Sequence, residues 1–244
     1  MFPGSIKGAL EGESGYTVLT FSSEELEVLR TLIREQWLER IREVAPDLVG
    51  QFEVFLMDSY HELVHLIDHR DTWPKLERIL RQHAVDQIRQ LPTFKKLADE
   101  FGEFTISDEE NLGRENIYWR LVRPNSPSDV GPMHADQWFW DLGHGSTPDG
   151  MLRVKIWIAI YCEAGKSGFR LVPGSHLQNW PYHGEFRDGI TKPVIDVSDD
   201  DLNIQIFNSK PGKAIVFNDK LLHGGVVGGN LTRVSLEFTM FVKK

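Results

Sequence analysis

The spacing of apolar residues changes once along this chain, near residue 102, and that change restricts the fold to a β core covered by helices. Before it, Leu26, Leu29, Ile33, Trp37, Ile41 and Val44 recur at helical spacing behind a Ser22 to Glu25 capping box, and the pattern stops at Pro46. A second helix is predicted from Asp47 to His69, with Phe52, Phe55, Leu56, Leu63 and Leu66 inward. A third begins at Thr72 with Pro74 in its first turn, and a short one follows Thr93. After residue 102 the pattern predicts about eight strands, over 116–123, 131–138, 152–161, 168–172, 203–208, 213–218, 221–225 and 231–242. Eight strands suit a double-stranded β-helix, or jelly roll. The predicted class is therefore mainly β with N-terminal helices (α+β). No Gly/Ser/Pro-rich linker marks the change, so a single domain over 1–244 is expected, with a helical part (1–102) packed on a jelly-roll core (103–244).

Alternation assigns faces within the strands. Val154, Ile156, Ile158 and Ile160 form one apolar side, and Lys155, Trp157, Ala159 and Tyr161 the other. In the last strand Val234, Leu236, Phe238 and Met240 oppose Arg233, Ser235 and Glu237. The apolar sides need cover, which amphipathic helices supply. The mixed sides then line the barrel mouth, where a cofactor would sit.

Within this frame, His134-Ala135-Asp136 and the later His223 supply two imidazoles and one carboxylate, a set that can occupy one face of Fe(II) and leave the other open. On a strand, His134 and Asp136 point to the same side while Ala135 faces away. Arg233 and Ser235 share a face of the last strand. A guanidinium fork beside a hydroxyl suits the distal carboxylate of a bound 2-oxo acid.

Two further stretches, Gly168-Phe169-Arg170-Leu171-Val172-Pro173-Gly174-Ser175-His176 and Lys155-Ile156-Trp157-Ile158-Ala159-Ile160, complete an ordered set. Over residues 103 to 242 the chain resembles the phytanoyl-CoA dioxygenase-like branch of the Fe(II)/2-oxoglutarate-dependent oxygenases. The resemblance implies a cupin-like jelly roll that uses Fe(II), 2-oxoglutarate and O2. It implies His134, Asp136 and His223 as catalytic metal ligands, Arg233 and Ser235 as the 2-oxoglutarate anchor, and Trp157 beside the co-substrate. Tyr118, Arg120 and Lys155 are further candidates for cofactor contact, chosen because their inferred faces point inward. Hydroxylation of a small-molecule metabolite, with release of succinate and CO2, is the implied reaction. Halogenating relatives vacate the carboxylate position, and Asp136 fills it here. One departure is Gly225, where relatives often carry Ser, so a hydroxyl contact to 2-oxoglutarate is expected to be missing.

The stretches 139–150 and 176–200, rich in Gly, Asp, His and Pro, read as long loops that could form a substrate lid. His144 and His183 lie in them, and His176 reads as structural. Trp138, Trp140 and Trp180 flank the site and either stack on a ring-bearing substrate or pack the barrel and lid.

Other function classes need weighing. His61-Glu62-Leu63-Val64-His65 is a literal H-E-x-x-H on a predicted helix, the zinc hydrolase pattern, although a third ligand is absent at the usual spacing and His69 follows on the same face. A non-catalytic jelly roll that binds a ligand or iron is the other alternative. The net charge of −9 argues against nucleic acid or an anionic membrane as partner, and the resemblance implies a small-molecule substrate instead. Cys162 is the only cysteine, and Met1 to Gly8 lacks the basic and apolar regions of a leader, so a cytoplasmic location is expected.

Overall fold

The computed structural model describes residues 5–187 and 189–244. Residues 1–4 of the stretch read for a leader, and residue 188 of the expected lid, lie outside these. The described elements run α1 (Ile6–Glu11), β1 (Tyr16–Thr20), α2 (Ser23–Val44), α3 (Val49–Glu53), α4 (Tyr60–Leu63), α5 (His69–Thr72), α6 (Gln82–Arg89), α7 (Pro92–Phe101), β2 (Thr105–Ile106) and β3 (Tyr118–Val122). They continue with α8 (Asp136–Asp141), β4 (Met151–Tyr161), β5 (Gly168–Leu171), β6 (Tyr182–Arg187), β7 (Ile190–Ile195), β8 (Gln205–Ile206), β9 (Lys213–Asn218), β10 (His223–Val226) and β11 (Arg233–Lys243). No helix among the described residues is long and apolar enough to cross a membrane.

The fold is a jelly roll with antiparallel pairing. A large sheet runs β1-β9-β4-β11-β2, with β3 also paired to β11, and a smaller sheet runs β10-β5-β8. The alternation read in β4 and β11 places Ile156, Ile158, Leu236 and Phe238 on the face that meets Leu29, Ile33, Trp37 and Ile88 in one apolar cluster. Phe94 of α7 stacks on Phe238 at 5.5 Å. The opposite face carries Trp157, Ala159, Ile215 and Phe217, which pack with Phe169, Leu171 and Leu221 between the sheets. The Ser22–Glu25 capping box forms, and the Glu25 carboxylate also accepts from the Thr93 backbone amide at 2.7 Å, tying α2 to α7.

Several local expectations are corrected. The helix expected over 47–69 is two short α-helices, α3 and α4, joined and flanked by 3-10 turns, and it breaks after Glu53 because the Arg34 guanidinium donates to the carbonyls of Glu53 and Phe55, the acceptors a continuing helix would need. Phe52 and Tyr60 can then both meet the Trp37 ring edge-on. The helix expected from Thr72 forms only in its second half, as α6 with Ile88 buried, while its first half is a 3-10 turn over Lys75–Arg78 followed by extended chain. There, Gln36 Nε2 donates to the carbonyls of Glu77 and Ile79, and Ile79 bridges to Tyr118. The short helix after Thr93 begins at Pro92, a residue preorganised for the first helical turn.

The strand expected over 131–138 is reduced to a bridge at His134, after which the chain turns helical at Asp136. The loop expected over 139–150 begins inside that helix, and the loop expected over 176–200 contains the β6–β7 hairpin. Its strand β6 is exposed on both faces over most of its length, so it lacks the alternation that marks a half-buried strand. Strand β1, which pairs with β9, lies within the part read as helical.

Candidate metal centre

His134 and Asp136 reach the same space by a route other than a shared strand. His134 is extended and pairs with His223, while Ala135 precedes the short helix that Asp136 opens. The backbone amide of Gln137 donates to the Asp219 carbonyl at 2.9 Å, fixing the helix start beside the chain that leads into β10. On that chain, Leu222 donates its amide to Ser175 Oγ at 2.8 Å, and Val172 donates its amide to the Leu222 carbonyl at 2.9 Å. The Pro-Gly-Ser-His turn thus sets the position of His223. Gly174 there has φ +78°, where an L side chain would be strained.

One ligand-capable atom from each of His134, Asp136 and His223 lies within 4.8 Å of the others. Asp136 Oδ1 is 3.9 Å from His134 Nε2, and Asp136 Oδ2 is 3.4 Å from His223 Nε2. Both imidazoles donate through Nδ1 to a backbone carbonyl, His134 to Pro132 at 2.8 Å and His223 to Leu221 at 2.9 Å. That fixes the tautomer and leaves each Nε2 with its lone pair turned to the carboxylate. Asp136 Oδ2 is buried and has no hydrogen-bond partner. A buried carboxylate whose two oxygens each face an imidazole lone pair fits a divalent cation with mixed N/O ligands.

Electrostatics keep His223 and Asp136 in the protonation state a metal requires. Burial drives the His223 imidazole down to about 4, against a partial opposing pull from Asp136. Phe169 stacks on that ring at 5.1 Å and Phe217 meets its face edge-on at 4.8 Å, which supplies the apolar surroundings. Burial alone would raise the Asp136 carboxyl, but Lys155, His223, His134 and Arg120 more than offset it and hold the group below its ordinary range.

Arg233 is 4% exposed, and its Nη1 donates to Ser235 Oγ at 3.3 Å. Its Nε has no partner, and among the described residues no carboxylate lies within ion-pair distance of it. The guanidinium carbon sits 5.7 Å from the Trp157 ring centroid. Burial lowers its pKa to about 10, so it stays charged at neutral pH. A buried cation with unused donors fits an organic anion. Gly225 lies alongside: a Cβ there would fall 2.6 Å from Val130 Cγ1 and 3.5 Å from Arg233 Nη2. Val130 thus fills the space a serine side chain would need.

The remaining candidates divide. Lys155 Nζ lies 3.6 Å from Asp136 Oδ2. Tyr118 is turned away, donating to Glu110 at 3.2 Å with Lys75 above its ring, and Arg120 is paired with Glu237. Trp138 stacks on Tyr182, Trp140 packs on Phe241, and Trp180 donates to the Ser175 carbonyl, so all three indoles have packing partners within the protein. His144 contacts the Thr191 carbonyl, His183 pairs with Asp196, and His176 is buried against Gly15. The His61 to His65 segment is not one helix, because α4 ends at Leu63. The Thr232 hydroxyl lies 3.1 Å from His61 Nδ1, His65 is exposed, and among the described residues these side chains belong to no ligand cluster.

The reading of the sequence did not single out Phe169, Phe217, Thr239 or Glu109 as site residues. Alternation could have found Thr239, which continues the Arg233-Ser235-Glu237 face, and Phe217, two residues beyond inward Ile215. Glu109 sits in a loop that carries no such signal.

Residues 26–233 match the family model described as phytanoyl-CoA dioxygenase. No match was found among curated protein sequences. Solved structures with the same fold include EvdO2 from Micromonospora carbonacea var. aurantiaca complexed with 2-oxoglutarate, at 14% identity and a TM-score of 0.62, covering 99% of this chain and 91% of that one. The non-heme monooxygenase ThoJ is 14% identical, with a TM-score of 0.56 and coverage of 98% and 77%. EctD from S. alaskensis, with 2-oxoglutarate and 5-hydroxyectoine, is 16% identical, with a TM-score of 0.50 and coverage of 99% and 78%. At these identities the likeness is one of fold.

Proposed function

Because the chain belongs to the phytanoyl-CoA dioxygenase family, whose members use Fe(II), 2-oxoglutarate and O2, we propose that it hydroxylates a C–H bond of a small-molecule metabolite. The observation that carries this reading is Asp136: a buried carboxylate, one oxygen of which accepts no hydrogen bond, whose two oxygens face two imidazoles with their Nδ1 atoms already engaged. In this reading His134, Asp136 and His223 hold the metal, and the open face of the triad admits co-substrate and O2. Bound Fe(II) supplies O2 activation coupled to decarboxylation of 2-oxoglutarate, so that substrate C–H, O2 and 2-oxoglutarate give C–OH, succinate and CO2.

The chain's own residues supply position and charge. Arg233, backed by Ser235 and set against Trp157, binds the far carboxylate of 2-oxoglutarate. Phe169 and Phe217 keep water from the His223 ring, holding it neutral and able to coordinate. The hairpin β6–β7 meets α8 through the Trp138–Tyr182 stack and serves as a cover over the substrate side. The intact carboxylate at Asp136 favours hydroxylation over halogenation.

The apolar cluster shared by the helices and the large sheet supports reading 1–244 as one domain. The negative net charge and single cysteine support a cytoplasmic enzyme acting on a small molecule, with neither nucleic acid nor membrane as partner. The test is anaerobic reconstitution with Fe(II) and 2-oxoglutarate, admission of O2, and a metabolite screen reading succinate and a product heavier by one oxygen. Succinate formation that does not depend on Fe(II), or a chlorinated product, would overturn the reading.

A further inference from the structure

Lys155 occupies a position that neither the ligand triad nor the anion anchor requires. Its Nζ is 3.6 Å from Asp136 Oδ2 and 3.9 Å from Glu109 Oε1, and it donates to Thr239 Oγ1 at 2.8 Å. The Thr239 hydroxyl donates in turn to Glu109 Oε1 at 2.6 Å, and Ser107 Oγ donates to the same oxygen at 3.1 Å. An ammonium on a flexible stem therefore stands between two carboxylates, linked to the second through one hydroxyl. Three neighbouring cations are already matched: Arg120 by Glu237, Arg153 by Asp219 and Lys75 by Glu110.

A divalent ion held by Asp136 changes this balance. The carboxylate that Lys155 faces becomes a metal ligand, and the ammonium then stands beside a dication in a water-poor site, where like charges repel strongly. Glu109 is held within reach by Ser107 and Thr239 to receive it. We propose that Lys155 is a displaceable counter-ion for Asp136, which keeps the empty site charge-balanced and passes to Glu109 when a divalent metal binds. Glu109 thereby controls metal affinity without being a ligand. This inference rests on His134, Asp136 and His223 being the metal centre.

The sign of the effects separates this role from that of a simple orienting donor. Lys155→Met removes a competitor, so metal affinity is unchanged or tighter. Glu109→Gln strands the ammonium and weakens metal binding by roughly tenfold or more, the size seen for outer-shell partners. The double variant binds like Lys155→Met, because Glu109 matters only while Lys155 is present. The experiment is titration of metal-free protein with Mn(II), reading the free Mn(II) signal by electron paramagnetic resonance, with circular dichroism confirming that each metal-free variant is folded. A tenfold loss in Lys155→Met, unchanged affinity in Glu109→Gln, or additive effects in the double variant overturns the proposal. If Glu109→Gln does not fold, Lys155→Met alone decides by the same criterion. His134→Ala separates the two levels of inference. Mn(II) affinity equal to the parent's in that variant sinks the metal centre itself, whereas lost affinity there with parent-like Glu109→Gln sinks only the handover.

Discussion

His134 and His223 are joined backbone to backbone, each amide donating to the other's carbonyl at 2.9 Å, and their ring centroids lie 4.4 Å apart. Two residues distant in sequence are thus fixed relative to each other by main-chain bonds. Preorganisation of this kind lowers the ordering cost of binding a metal.

If the two imidazoles and Asp136 hold the metal, His134→Ala and His223→Ala abolish 2-oxoglutarate turnover and weaken Fe(II) binding. His65→Ala leaves both nearly intact. His61→Ala also keeps the metal but lowers stability by about 1 kcal/mol through its lost contact with the Thr232 hydroxyl. Metal analysis after desalting, with thermal melting in parallel, checks this. Metal lost from the His61 and His65 variants and kept in the other pair would reverse the assignment.

Gly225→Ser restores the residue common among relatives but drives a Cβ to 2.6 Å from Val130 Cγ1. The overpacking costs roughly 1–3 kcal/mol, read as a lower denaturation midpoint. Val130 Cβ would itself lie 2.8 Å from the new Cβ, so Val130→Gly in the same chain, not Val130→Ala, relieves the clash, and the double variant is more stable than the sum of the two single effects predicts. Simple additivity of the two substitutions would show that something other than Val130 excludes the side chain.

The parts of the fold that were legible in the sequence are those where one face is dry and the other is not. β4 and β11 alternate because one side meets the helices and the other the barrel interior, and the periodicity holds until the bulge at Val234/Ser235, where Tyr161, read with Trp157 and Ala159, turns instead to the helix side under Arg30. Asp136-Gln137-Trp138-Phe139-Trp140 carries no alternation, and its helical turn is set by tertiary partners such as the Asp219 carbonyl, so the strand reading failed there. The break after Glu53 depends likewise on Arg34, a distant side chain capping carbonyls. At the candidate site, residue type and order marked His134, Asp136, His223 and Arg233. Their surroundings, the Phe169 and Phe217 rings and the Lys155-Thr239-Glu109 chain, arise from contacts across strands and loops that no local pattern encodes.

The metal-free protein loses stability as pH falls. His223 takes a proton near its ordinary 6.5 in the unfolded chain but only near 4 when folded, where burial opposes its charge. Between those values the unfolded state binds more protons, so acidification favours unfolding, by roughly 3 kcal/mol across the whole window. Denaturant titrations at about pH 7.5 and about pH 3.5 measure it, since the window lies between them. A His223→Asn variant shows a shallower dependence. An unchanged pH slope in that variant would assign the loss to other groups.

Arg233 supplies the final test, because it separates anion binding from metal binding in one side chain. It is buried with an unpartnered Nε and with its charge unmatched by any carboxylate within ion-pair distance among the described residues. Loss of a charge-assisted contact of this type costs roughly 1.5–3 kcal/mol, or about ten- to a hundredfold in affinity. Arg233→Ala therefore weakens 2-oxoglutarate binding by that factor, and Arg233→Lys, which keeps the charge but loses the fork, weakens it less. Fe(II) affinity stays near the parent value in both, since Arg233 is not among the grouped ligand-capable residues. Titrating 2-oxoglutarate into anaerobic Fe(II) protein, and following the charge-transfer band, reads this directly. Unchanged affinity in Arg233→Ala would pass the anchor to another cation, with Lys155 the first to test because, unlike Arg120, it has no carboxylate closer than 3.6 Å.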